Sequence, residues 1–197
     1  MILRSPLIAF FLVVLSACRP KEEGAPPPPK APGDPAAKSD SAPARPIETR
    51  EQKYESGKLK SRTEGYTDAE GNFVRHGVII VWHENGQKKV EQQFVEGEPH
   101  GPSTTWYAGG RVQSQGHYVD GLEDGKWTSF YNDGTPQVEW HMRRGAWHGP
   151  RTEWHPNGKK RSEFEFVDGK RQGPALNYDD QGVLVFRSDF VDGIEQP

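Results

Sequence analysis

The sequence has one cysteine, Cys18, among 197 residues, so no disulfide can form within the chain. Long apolar runs are missing too. The longest, Pro6 to Leu15, covers about ten residues and is too short to cross a ~30 Å hydrocarbon layer as a helix. There is no basic excess: 25 Lys and Arg stand against 28 Asp and Glu, a net charge of -3, which speaks against nucleic acid as a partner. Only 32% of residues are hydrophobic, too few for a single deep core. Such a chain is either partly unfolded or built in thin layers, and different segments fit each description. What it has instead is punctuation, with 22 Gly and 17 Pro.

Residues 1–17 read as an export signal, with Arg4 as the positive start and the ten-residue apolar run as its h-region. The run closes on Leu15-Ser16-Ala17-Cys18, which resembles the lipobox of bacterial lipoproteins. That resemblance implies that Cys18 is lipidated, becomes the first mature residue and holds the chain to a membrane. It places the protein in the bacterial cell envelope. Arg19 in place of Asp after the cysteine implies the outer membrane, facing the periplasm. Residues 18–53 carry nine prolines, including Pro26 to Pro29, and almost no large apolar side chains. This composition predicts a disordered tether stiffened by polyproline stretches.

From residue 77 a strict period of 24 takes over. Gly77, Gly101, Gly125, Gly149 and Gly173 begin five units, and position 0 denotes this glycine in each. A second glycine falls at position 9 (Gly86, Gly110, Gly134, Gly158, Gly182) and a third at position 20 (Gly97, Gly121, Gly145, Gly169, Gly193). Position 5 is always aromatic: Trp82, Trp106, Phe130, Trp154 and Tyr178. Position 17 is Phe94, Tyr118, Met142, Phe166 and Phe190. Pairs such as Asn85-Gly86 and Asp133-Gly134 between β-rich runs mark hairpin turns, and Asp120-Gly121 and its equivalents mark a second turn. Each unit therefore reads as strand, turn, strand, turn.

The expected fold is all-β: a single-layer antiparallel meander of ten strands in residues 77–197, with residues 54–76 as a degenerate N-terminal cap repeat. A three-residue first loop ending in the position-9 glycine pairs position 5 with position 11. It predicts a type I turn with that glycine left-handed, forming a bulge. In this register positions 13, 15 and 17 are expected on the same face as the position-5 rings, with the other face mostly polar. Trp140, at position 15, joins that aromatic stripe.

His155-Pro156-Asn157-Gly158-Lys159-Lys160 followed by Phe166-Val167-Asp168-Gly169 resembles the MORN-repeat variant of bacterial proteins, and the likeness extends over residues 54–193. The resemblance implies a β-hairpin scaffold used for contacts with proteins and, in some members, phospholipids. Some relatives carry an antitoxin label, which suits an exported chain poorly. Gly109-Gly110, Gln181-Gly182 and Arg143-Arg144 depart from the pattern, so those turns are expected to differ in detail.

No constellation suggests an enzyme or a cofactor. There is no Gly-x-Ser-x-Gly elbow. Glu91, Glu139 and Glu163 recur in one column, two strands or roughly 10 Å apart, which is too far for paired acid–base work. The seven histidines fall in columns with the same separation, too far for one metal ion. The functional expectation is a non-catalytic envelope scaffold that binds another protein through Trp82, Trp106, Phe130, Trp154, Tyr178 and Trp140. Alternatives are glycan or peptidoglycan binding by the same aromatic stripe, and an immunity-like role.

Overall fold

The structure is a computed structural model and describes residues 46–197; the expected signal, Cys18 and most of the expected tether lie outside those residues. Every element in the described part is a β-strand. They are β1 (Glu48–Lys53), β2 (Leu59–Thr67), β3 (Phe73–Trp82), β4 (Lys88–Val95), β5 (Glu98–Trp106), β6 (Val112–Val119), β7 (Leu122–Phe130) and β8 (Pro136–Arg143). There follow β9 (Ala146–Trp147), β10 (Gly149–Trp154), β11 (Lys160–Val167), β12 (Lys170–Arg171), β13 (Gly173–Tyr178), β14 (Leu184–Val191) and β15 (Ile194–Glu195). All fifteen form one antiparallel sheet in meander order. The count exceeds ten partly because breaks at His148 and Gln172 divide single rising strands into β9 with β10 and β12 with β13.

The first turn has the expected geometry. The Gly86 N–H donates to the His83 carbonyl at 2.9 Å, and the His83 N–H donates to the Gln87 carbonyl at 2.8 Å. Gly86 has φ +90°, the left-handed region that glycine enters without steric cost. Gly110 and Gly182 close the same turn despite their altered neighbours, with N–H bonds of 2.8 and 3.0 Å. The second turn is a two-residue loop with positive φ at both central residues, for example Glu96 at 51° and Gly97 at 87°. This is a type I′ turn, whose twist matches that of its flanking strands. Arg144 adopts the same conformation at φ 49°, so the Arg143-Arg144 turn does not differ in backbone. Asp124, where three other units have histidine and the last has Gln172, accepts the Arg144 N–H at 2.9 Å.

Two expectations need correction. The first concerns where the array starts. β1 lies inside the segment read as tether, and β1 with β2 repeats the internal hairpin register residue for residue. Glu48↔Gly65 and Lys53↔Leu59 correspond to Gly77↔Phe94 and Trp82↔Lys88. Residues 48–67 are therefore a full hairpin unit. Its spacing is irregular because its second turn is longer: Asp68 N–H donates to the Asn72 carbonyl and Gly71 N–H to the Asp68 carbonyl.

The second correction is to the faces. Trp82 pairs with Lys88 as expected, but the next pair is Val81↔Val90, so Lys89 is an extra residue. The same shift recurs in every unit. Because alternate residues point to opposite faces, this second bulge puts positions 13, 15 and 17 on the face opposite the position-5 rings. A consequence shows at the far end of the hairpin in the five units from Gly77 on. Each large position-17 side chain pairs directly with a position-0 glycine: Phe94 with Gly77, Tyr118 with Gly101, Phe166 with Gly149. That pairing covers bare backbone with apolar surface.

The thin core follows from this register. Phe94, Trp127 and Ala175 are buried on the position-17 face, and so are the small or polar Gln92, Ser103, Ser162 and Ser188. Neighbouring units thus supply burial that no isolated hairpin possesses.

Candidate functional site

Each face carries its own set of aromatic rings. On the first, Trp82, Trp106, Phe130, Trp154 and Tyr178 stand one per unit, all half-buried. Cations lie over several of the rings on this face. The Arg62 guanidinium is 6.0 Å from the Trp82 centroid, and the Lys88 ammonium is 5.7 Å from that of Trp106. Lys88 also contacts Glu91 at 2.5 Å. The Tyr178 hydroxyl donates to Glu163 at 2.8 Å, which pushes the phenol pKa up, and Lys160 pairs with the same carboxylate at 2.5 Å. The row is thus an alternation of rings and ion pairs rather than a bare apolar strip.

On the second face Trp140 belongs to a different series, which spacing alone did not reveal. Tyr118, Trp127, Trp140, Trp147 and Phe166 follow one another with centroid separations of 5.1, 6.0, 6.4 and 5.4 Å. Trp127 and Trp140 are directly opposed across β7 and β8 and lie within 18° of parallel. Trp127 is 5% exposed and packs over Gly116, where even a methyl group would meet the indole. Tyr118 meets Trp127 edge to face at 82°, and the two later contacts are tilted at 44° and 34°. Beyond the series, Arg171 lies 4.9 Å from the Phe164 centroid and 5.3 Å from that of Phe190. The Tyr118 hydroxyl is bonded to Glu123. Burial first, and then that carboxylate, pushes the Tyr118 pKa up to about 12; burial also raises that of Glu123.

The histidines have structural partners. At position 6, His83 and His155 place Nε2 2.9 Å from the Trp106 and Tyr178 carbonyls. Tyr54, Tyr107 and Tyr131 donate their hydroxyls to the Trp82, Phe130 and Trp154 carbonyls at 2.7 Å in the same place. One side chain per unit therefore grips the backbone of the next unit's position-5 residue. This Tyr/His column was legible as a period but not as a function. At the other edge, the Asp120 N–H donates to His100 Nδ1 at 3.3 Å and the Asp168 N–H to His148 Nδ1 at 3.4 Å. Among the described residues, no three His, Cys, Asp or Glu side chains converge on a point that could hold a metal ion.

The position-9 glycines Gly86, Gly110, Gly134, Gly158 and Gly182 all sit in first turns with positive φ. A shallow, solvent-open depression beside Gly116 is lined by Ser103, Gln115, His117, Lys126 and Thr128. Lys126 there is paired with Glu139 at 2.6 Å.

With this geometry in place, the comparison with protein families identifies the repeat. The family model described as "MORN repeat variant" matches residues 75–96, 99–120, 123–143 and 147–168. No curated protein matches the chain. Among solved structures, a Bacteroides fragilis protein of unknown function is similar at 10% identity over 75% of this chain and 94% of its own, with a TM-score of 0.19. A likeness that slight carries no argument about function.

Proposed function

Residues 75–168 are tandem MORN repeats of the variant type, and from that premise we propose that the protein is a non-catalytic scaffold, lipid-anchored through Cys18 in the bacterial envelope, that docks another protein along the position-5 face. The observation that carries this reading is the row Trp82, Trp106, Phe130, Trp154 and Tyr178: half-buried rings, one per unit, interleaved with Lys88, Lys160 and their carboxylates. Aromatic side chains are enriched at the centres of protein interfaces and charged pairs suit the polar rim around them, and among the described residues no second layer covers this face. The opposite face suits this role less, because its tryptophans pack on one another.

The test is recovery from envelope extract with the wild-type chain and with the double variant Trp106→Ala, Trp154→Ala. A protein retained by the first and lost by the second supports the reading. Retention of polysaccharide without protein would replace it with glycan binding. The anchor is checked separately by palmitate labelling, which is expected in the wild type and absent from Cys18→Ala.

A further inference from the structure

We propose that the chain assembles with itself head to tail, the outer edge of β14 in one copy receiving β1 of the next. Two observations point to a shared register. At every internal boundary, positions 13 and 14 of one unit face positions 4 and 3 of the following one, and at two of them position 15 also faces position 2. Val90↔Thr105, Glu91↔Thr104 and Gln92↔Ser103 show all three, and Ser61↔Val81, Arg62↔Ile80 and Thr63↔Ile79 repeat them. In β14 the corresponding residues are Phe186, Arg187 and Ser188. Among the described residues, β15 pairs with Phe190 and Val191 of that edge and the Gln196 N–H donates to the Asp189 carbonyl, so backbone pairing there stops short of Phe186 to Ser188.

β1 is the complementary half. It occupies positions 0 to 5 of its unit, pairs among the described residues with β2 on one side only, and all six of its residues are exposed. Docked in the internal register, Phe186, Arg187 and Ser188 meet Gln52, Glu51 and Arg50 of the second copy. Arg187 then faces Glu51, which already pairs with Arg62 of its own copy at 3.0 Å, so the carboxylate lies between two guanidinium groups. The docking strand would also shelter an apolar edge. Val183, Leu184, Val185 and Phe186 are 59, 48, 63 and 49% exposed, whereas β1 presents Glu48, Arg50, Glu51 and Lys53. An unpaired apolar edge is a template for strand addition.

The alternative is β14 against β14 about a two-fold axis, which does not reproduce the pairing found at the boundaries between units. The head-to-tail contact is heterologous, so it propagates into rings or filaments instead of stopping at a dimer.

The test introduces Glu51→Cys and Arg187→Cys together in the full chain and adds a short thiol–thiol cross-linker. The wild type controls for reaction at Cys18. A ladder of dimer, trimer and higher species is expected from the double variant. Dimers from Arg187→Cys alone would establish the two-fold contact and overturn the proposal, as would the absence of cross-links in the double variant. A charge exchange gives a second readout. Arg187→Glu and Glu51→Arg should each weaken association about fivefold in sedimentation, by setting like charges opposite one another. An equimolar mixture of the two should restore it, because each then meets its complement; failure to restore would also overturn the proposal.

Discussion

Gly116→Ala is expected to destabilise the sheet more than Gly134→Ala, although only Gly134 has the backbone that ordinarily demands glycine. Gly134 sits at φ +95° with nothing within 4 Å of an added Cβ, so alanine there meets only the left-handed strain of about 1 kcal/mol. Gly116 has no such strain, but its added Cβ would lie 2.0 to 2.5 Å from three ring carbons of Trp127. The indole cannot shift freely, since it is held between Tyr118 at 5.1 Å and Trp140 at 6.0 Å. Overpacking of a tight site costs about 1–3 kcal/mol, and expelling the ring altogether approaches the 3–5 kcal/mol of a tryptophan truncation. We expect about 3 kcal/mol for Gly116→Ala, roughly 2 kcal/mol more than for Gly134→Ala. Urea unfolding followed by far-UV and near-UV circular dichroism measures both, the near-UV band reporting the Trp127–Trp140 pair. In a Trp127→Ala background the Gly116→Ala penalty should fall to near zero. Equal costs for the two glycine variants, or an undiminished penalty without the indole, would refute the packing argument.

Tyr131→Phe deletes the hydroxyl bonded to the Trp154 carbonyl at 2.7 Å and should cost about 1 kcal/mol in urea unfolding. Tyr118 contributes a pH dependence whose sign follows from its raised pKa. The folded chain favours the neutral phenol, so this stability is fully present below the ordinary value of 10.0 and is lost as pH rises toward about 12. Thermal unfolding between pH 9 and 12 should therefore fall more steeply for the wild type than for Tyr118→Phe. Arg144→Asn puts a residue that tolerates left-handed backbone at φ 49° and keeps the N–H bond to Asp124, so a gain of about 0.5 kcal/mol is expected.

Much of the array was legible because glycine, asparagine and aspartate report chain reversals directly. The first-turn bulge followed from Asn85-Gly86, and the second turn from Asp120-Gly121 and its equivalents. The extra residue at Lys89 was not legible, because nothing in its chemistry marks it. Its effect is read at the other end of the hairpin, where Phe94 lies opposite Gly77. Missing that one residue exchanged the faces and assigned Trp140 to the wrong set of rings. The first unit was hidden for a related reason. Its pairing inverts the usual one, with Gly65 opposite Glu48 where other units put a large side chain opposite a glycine. Phe73 instead packs its ring against Gly65, within 2.7 to 3.0 Å of where a Cβ would sit.

The register itself is tested most directly by cross-strand nuclear Overhauser contacts in the labelled protein. The pairs Arg62 with Ile80, Glu91 with Thr104 and Glu139 with Thr152 should each show backbone contacts, one at each of three boundaries between units. Contacts displaced by one residue at those boundaries would return Trp140 to the Trp106 face and contradict the account.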